Sequence, residues 1–195
     1  MNLFFVPSAC SLADHIALIE AKLPFKLVSI DRGKRTSDGR DYLAINRKGY
    51  VPALELDDGT VLTENLAILT WIATETGRLL PATGLARWRA LEATSFMTTE
   101  LHGNFKPLFY PDSTEAEKEK GRKNLVRHFA TLGEQLGTKP FLVGDEMTIA
   151  DAYLFVMVSW AVMFQLEVPA SLAAYHVRMK DHPSVAQALR AEGLA

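Results

Sequence analysis

The chain has 195 residues, 48% of them hydrophobic and 23% charged, with a formal net charge of −2. That length can bury a substantial core in one large domain or two small ones, and the interspersed acids and bases give no electrostatic case for nucleic acid or an anionic membrane surface. The single cysteine, Cys10, forbids an internal disulfide and suits a reducing cytosol, and the N-terminus lacks the basic-then-apolar build of a signal peptide.

LFFV (3–6) reads as a short strand. Leu12, Ile16, Ile19 and Leu23 recur at helical spacing and predict a helix over 11–22, which Pro24 ends. FKLVSI (25–30) predicts a second strand, parallel to the first across a right-handed crossover. Residues 31–49 are polar and irregular, with one short helix expected near 39–45. VPALEL (51–56), the turn DDGT and VLT (61–63) predict an antiparallel hairpin. Asn65 is the expected N-cap of a helix that ends near Gly77.

PATGLA (81–86) reads as a linker, and everything after it is helical. Helices are expected over about 86–104 and about 113–136, the latter with Leu125, Phe129, Leu132 and Leu136 on one stripe. An apolar helix from 148 and two shorter ones near 170–180 and 184–191 follow. The expected division is therefore 1–80 and 87–195. IADAYLFVMVSWAVMFQL (149–166) is long enough to raise the question of a membrane span. Asp151 within it, and the capping-box pattern Thr148-x-x-Asp151, predict the buried central helix of an all-α core instead.

Three short stretches could carry chemistry. Cys10 falls at the junction of the first strand and first helix, where unpaired N–H groups and the helix dipole favour an anion and can lower a thiol pKa. The alternative is a small apolar residue packed under the helix. Tyr50-Val51-Pro52 opens the hairpin. A cis bond before Pro52 would turn the Val51 backbone groups outward for an extended peptide, and a trans bond would merely start the strand. Glu64-Asn65 sits at a helix start, where the N–H groups suit a carboxylate and the Glu64 side chain an ammonium; simple capping by Asn65 is the alternative. The aromatic residues Phe105, Phe109, Tyr110, Trp160 and Phe164 are core by type, and a few facing a cleft would supply an apolar pocket.

The order β-α-β-α-β-β-α, with PSACSLADH, NRKGYVPALELDDGTVLTENLAI, TELHGNFKPLF, MTIADAYLF and ALRAEGLA collinear over essentially the whole chain, resembles the cytosolic glutathione transferases, specifically the bacterial beta class. The resemblance implies an α+β thioredoxin-like N-terminal domain followed by an all-α helical-bundle domain. It further implies a homodimeric, cytoplasmic detoxification enzyme that joins the thiolate of glutathione, its cosubstrate, to a small apolar electrophile. No metal, nucleic acid or membrane belongs to that picture. In it Cys10 lies beside the glutathione sulfur, with Ser11 at the same helix start. Val51, before Pro52, pairs with the cysteinyl backbone, Glu64 and Asn65 hold the γ-glutamyl group, and Lys34 or Arg35 meets the glycyl carboxylate. His102 lies near the thiol, and Ser95, seven residues earlier on the same helix face, stands where the class often has Asn. Phe5 replaces the tyrosine that many members carry on the first strand, so no phenol is available there, and Phe5 joins the apolar pocket. A lone histidine such as His102 is also a common structural group. Two rival readings are a thiol-disulfide oxidoreductase acting through Cys10 and a non-catalytic carrier of glutathione or apolar ligands.

Overall fold

A computed structural model describes every residue from Met1 to Ala195. The elements in chain order are β1 (Asn2–Phe5), α1 (Ser11–Glu20), β2 (Lys26–Ser29), α2 (Tyr42–Ile45), β3 (Ala53–Glu55), β4 (Val61–Thr63), α3 (Asn65–Thr76), α4 (Gly84–Phe96), a π-helical turn (Met97–Leu101), α5 (His102–Phe109), α6 (Glu115–Leu136), α7 (Ile149–Met163), α8 (Ala170–Lys180) and α9 (Pro183–Ala191). They group into two units, Met1–Leu80 with His182–Ala195, and Pro81–Asp181.

The first unit is built on a four-stranded sheet of order β2-β1-β3-β4. β1 pairs parallel to β2 and antiparallel to β3, and β3–β4 is the antiparallel hairpin. Strand alternation divides the apolar run of β1 between two faces. Phe4 packs with Val28, Ile30, Tyr42 and Ala53. Phe5 turns the other way, toward His15 of α1 at 6.5 Å between ring centroids. Leu12, Ala13, Ile16 and Ala17 of α1 are buried, as the 3.6-residue spacing requires of a helix covering a sheet. α3 ends at Gly77 in the left-handed conformation (φ 65°), the usual helix stop.

The tail differs from expectation. Residues 182–195 group with the first unit rather than with the helical one. The physical reason is a buried polar tie: Glu192 Oε1 lies 2.9 Å from His15 Nδ1, and its Oε2 accepts the Ser8 N–H at 3.1 Å. The stretch 81–86 is also not a free linker throughout, since α4 already begins at Gly84.

In the second unit, α7 is buried along nearly its whole length and starts at the expected capping box. Thr148 N–H and Oγ1 both donate to Asp151 Oδ2 at 2.9 Å. At 15 residues it is shorter than the apolar run suggested, and no helix of the chain is long and apolar enough to cross a membrane. The helix expected to stop near 104 instead passes through the π turn and reaches Phe109, with Pro107 inside it. Gly121 lets α6 approach α5 closely, because a Cβ there would stand 2.7 Å from the Asn104 carbonyl oxygen.

Candidate active site

The first unit brings Cys10, Val51 and Asn65 together at the N-termini of α1 and α3. Cys10 precedes α1 and is 6% exposed. Its Sγ–H donates to the Val51 carbonyl at 3.4 Å. The Val51–Pro52 peptide is cis, and the Val51 N–H makes no backbone hydrogen bond within the chain. The loop that carries Val51 is pinned at its preceding residue: the Tyr50 carbonyl accepts from Tyr42 Oη at 2.8 Å and from Asn46 Nδ2 at 2.9 Å.

The helix start at Cys10 does not yield the thiolate that its position suggested. Burial pushes the thiol up to about 12, with a further push from Asp14 whenever that group is ionised, and the Cys10 and Ser11 N–H groups only partly oppose this; complete burial holds the Asp14 carboxyl itself well above the ordinary carboxylate range. The dipole and N–H groups of a helix N-terminus favour an anion, but desolvation of a buried thiolate outweighs them here. In this structure Cys10 is a hydrogen-bond donor. Ser11 is fully buried, and its hydroxyl donates inward to the Val6 carbonyl at 3.5 Å.

At the second helix start the N-cap is Glu64 (φ 73°), not Asn65. The Asn65 side chain is buried and committed, its Nδ2 donating to the Cys10 carbonyl at 2.8 Å and to Asp14 Oδ2 at 3.0 Å. Asn65 therefore offers a ligand its backbone rather than its amide. Glu64 is exposed, and its Oε1 accepts Lys48 Nζ at 2.5 Å and Tyr50 Oη at 3.0 Å. Lys34 Nζ reaches back to the Gly49 carbonyl at 2.5 Å, while the Arg35 N–H donates to Asp31 at 2.8 Å. Lys48, Tyr50, Asp14 and Asn46 were not singled out by the sequence reading as polar groups of this site. The signal for Asp14 was available, since it stands four residues after Cys10 and so shares its helix face.

The remaining expected residues lie in the second unit or in the sheet core. His102 opens α5, its Nδ1 2.7 Å from Tyr153 Oη and its ring edge-on to Trp160 at 5.1 Å. Ser95 is exposed on α4, and its carbonyl accepts from the Thr98 hydroxyl at 2.7 Å. The π turn between them breaks the seven-residue register that would have set both on one face. Phe105, Phe109, Trp160 and Phe164 form one aromatic cluster, with Phe109 4.8 Å from both Trp160 and Phe164. Phe105 is fully buried and Phe5 nearly so, which makes both core groups; Tyr110 is 61% exposed. A cleft of about 670 Å³ between α4, α6 and the 139–144 segment contains none of these residues.

The arrangement in the first unit suits an extended peptide with a thiol. One unpaired backbone edge at Val51, two helix N-termini, a carboxylate at Glu64 and a sulfur donor at Cys10 lie within it. Comparison with known proteins gives the family. Residues 7–75 match the model of the glutathione S-transferase N-terminal domain, and residues 115–191 that of the C-terminal domain. The chain is 44% identical to glutathione S-transferase GstA of Escherichia coli O157:H7 over 100% of both chains. It is 38% identical to glutathione S-transferase GST-4.5 of Xanthomonas campestris, again over 100% of both. Among solved structures, the bacterial transferase BphK in a ternary complex superimposes with a TM-score of 0.95 at 42% identity, and a sphingomonad transferase bound to glutathione with 0.93 at 41%, each over 100% of both chains.

Proposed function

The chain belongs to the glutathione S-transferase family, and we propose that its first unit binds glutathione extended between Val51 and the two helix N-termini for attack on an apolar electrophile. The enzyme is a glutathione transferase: the glutathione thiolate forms a bond to an electrophilic carbon, the leaving group departs with its electron pair, and the thiol proton goes to solvent. The observation that carries the binding mode is the Cys10–Val51–Asn65 constellation, in which the Cys10 donor is spent on the Val51 carbonyl.

Glutathione would take over that carbonyl with its cysteinyl N–H, and the Val51 N–H would receive the cysteinyl carbonyl as a short β-bridge. The Cys10 S–H is thereby released to the glutathione sulfur. A donor that stays protonated stabilises a neighbouring thiolate without competing for its negative charge. Favouring that thiolate by two pKa units takes about 2.7 kcal/mol, within reach of the S–H and the N–H groups opening α1. Phe5, with no hydroxyl, contributes nothing to this.

Glu64 would receive the γ-glutamyl ammonium and the α3 N-terminus its carboxylate. Lys34 or Arg35 would turn to the glycyl carboxylate. The parts that the family resemblance gives Ser95 and His102, the aromatic pocket, a homodimer and a cytoplasmic setting belong to the same proposal.

The test is retention on immobilised glutathione, titration calorimetry and turnover of a chlorinated aromatic electrophile. Absence of binding at millimolar glutathione would overturn the proposed site. Binding without turnover would favour a carrier. A thiol-disulfide oxidoreductase is disfavoured by the buried, protonated Cys10.

A further inference from the structure

The carboxylate proposed to receive the ammonium of glutathione already holds one of the chain's own. Lys48 Nζ lies 2.5 Å from Glu64 Oε1 and donates to Thr63 Oγ1 at 2.9 Å, while Tyr50 Oη donates to the same Glu64 oxygen at 3.0 Å. The loop that carries Lys48 is fixed from below. Asn46 is buried, its Oδ1 accepts the Lys48 N–H at 3.1 Å, and its Nδ2 donates to the Tyr50 carbonyl at 2.9 Å. Glu64 stands at φ 73°, a left-handed conformation uncommon outside glycine, so the backbone at the start of α3 aims its side chain. The pair itself is weak as a structural tie. Its two side chains are 47% and 52% exposed, and exposed ion pairs change an equilibrium by a factor of about two to five. That is too little to hold a fold and enough to compete with a ligand.

We infer that Lys48 is an internal stand-in for the α-ammonium of glutathione: its ε-ammonium occupies Glu64 in the free protein, is displaced when glutathione binds, and so sets the affinity for the γ-glutamyl group. This rests on the reading of Glu64 given above. Both cations are compact primary ammonium groups with three N–H donors, so each satisfies the carboxylate in the same way. They do not share it well, because Tyr50 also occupies the oxygen that Lys48 uses and two like charges on one carboxylate repel. Tyr50 carries no charge and stays, holding the carboxylate in place through the exchange. Lys48 leaves on a flexible four-carbon stem at the surface, so its departure exposes no core. A ligand without the ammonium leaves Lys48 where it is. Lys48 therefore opposes glutathione specifically, and its return to Glu64 favours release of the conjugate.

The test is calorimetry with glutathione and with glutaryl-cysteinylglycine, the same peptide without its α-amino group, on the wild type, Lys48→Met and Lys48→Arg. Glutathione should bind Lys48→Met about two- to fivefold more tightly than wild type, and the analogue should not gain. Loss of a positive charge at longer range weakens an anionic ligand, so only relief of competition gives this sign. Lys48→Arg keeps a cation on Glu64 and should stay within about twofold of wild type. Glutathione binding to Lys48→Met that is equal or weaker overturns the inference, as does equal tightening of both ligands. A lysine that touches the ligand would give the weaker binding.

A second measurement needs no variant. Reductive methylation of the wild type reads Lys48 against Lys120, an exposed lysine of α6, by peptide mass. The hydrogen bond to Glu64 raises the Lys48 pKa and so slows its amine. Saturating S-methylglutathione, which has no thiol to react, should increase Lys48 labelling relative to Lys120. Protection or no change overturns the inference. Failure of the wild type to bind glutathione at all would overturn the reading of the site, and this inference with it.

Discussion

Asp151→Ala tests whether the buried start of α7 is a major source of stability. The carboxylate is completely buried and accepts four donors: Leu142 N–H at 2.8 Å, Thr148 N–H and Oγ1 both at 2.9 Å, and Tyr175 Oη at 3.3 Å. One of the two hydroxyls has an alternative, since Tyr175 Oη also donates to the Asp151 main-chain carbonyl at 3.0 Å. The two amides do not. Each buried N–H left without an acceptor costs about 1–3 kcal/mol, so the gross loss is about 2–6 kcal/mol. Relief of the carboxylate's own desolvation returns part of this, which leaves about 2–4 kcal/mol. Against a total stability of about 5–15 kcal/mol that is a large fraction. Urea denaturation should show a lower midpoint at unchanged slope, and glutathione affinity of the folded protein should be preserved. The pH dependence adds a second check. Burial raises the Asp151 pKa above the ordinary carboxylate value despite its hydrogen bonds. Its contribution is therefore fullest below the unfolded value of about 3.8 and declines as pH rises through the folded one. The gap between wild type and variant should hold or widen from pH 7 to pH 5. A variant with the wild-type midpoint, or a gap that shrinks on acidification, would refute this account of α7.

Three other changes have definite expected outcomes. Glu64→Gln removes the carboxylate proposed to hold the ammonium of glutathione, so its Kd by calorimetry should rise about tenfold or more with kcat at saturation little changed; a fall in kcat alone would place Glu64 elsewhere in the mechanism. Cys10→Ala should lower conjugation roughly tenfold without abolishing it, because a weak S–H donor is lost while the α1 N–H groups remain. Its pH–rate profile should shift to higher pH, and an unshifted profile would show that Cys10 does not touch the thiolate. His176 is buried against Phe155 and bonded to Ser159 Oγ at 2.9 Å, and burial lowers its pKa to about 4. A His depressed in the folded state costs stability as pH falls from about 6.5 to about 4, by at most about 3 kcal/mol. His176→Gln should flatten that part of the denaturation profile.

The fold was legible because its signals are local and repeated. The apolar run of β1, the helical spacing of Leu12, Ile16 and Ile19, and the hairpin turn at 57–60 each depend on neighbours in sequence. The π turn was not, since MTTEL carries no residue that interrupts a helix. Nor was the return of the tail, which depends on Glu192 meeting His15 across 177 positions. At the site, the positions of Cys10 and Val51 were legible and their electrostatics were not. A helix start advertises N–H groups, but whether a thiol ionises there depends on its burial, which the folded chain sets. Asn65 illustrates the same limit: its type and place matched an N-cap, and the buried carboxylate one helix away claimed its amide instead.

These commitments also indicate which side-chain donor can reach a glutathione sulfur. Tyr42 Oη is held on the Tyr50 carbonyl at 2.8 Å, and Tyr50 Oη on Glu64 at 3.0 Å. Breaking the first would free the loop that presents Val51, and breaking the second would disturb the carboxylate proposed for the ammonium. Ser11 Oγ points away to Val6, and position 5 has no hydroxyl. Cys10 is different. Its bond to the Val51 carbonyl, at 3.4 Å, comes from a weak thiol donor, and that carbonyl gains a stronger N–H donor when a peptide pairs with it. Redirecting the S–H toward a ligand sulfur therefore leaves no acceptor unpaired. A thiolate at this position would have no proton to give and would repel the anion it faces. The burial that raises the Cys10 pKa thus fits the proposed site, in which glutathione supplies the nucleophile and Cys10 the proton that steadies it.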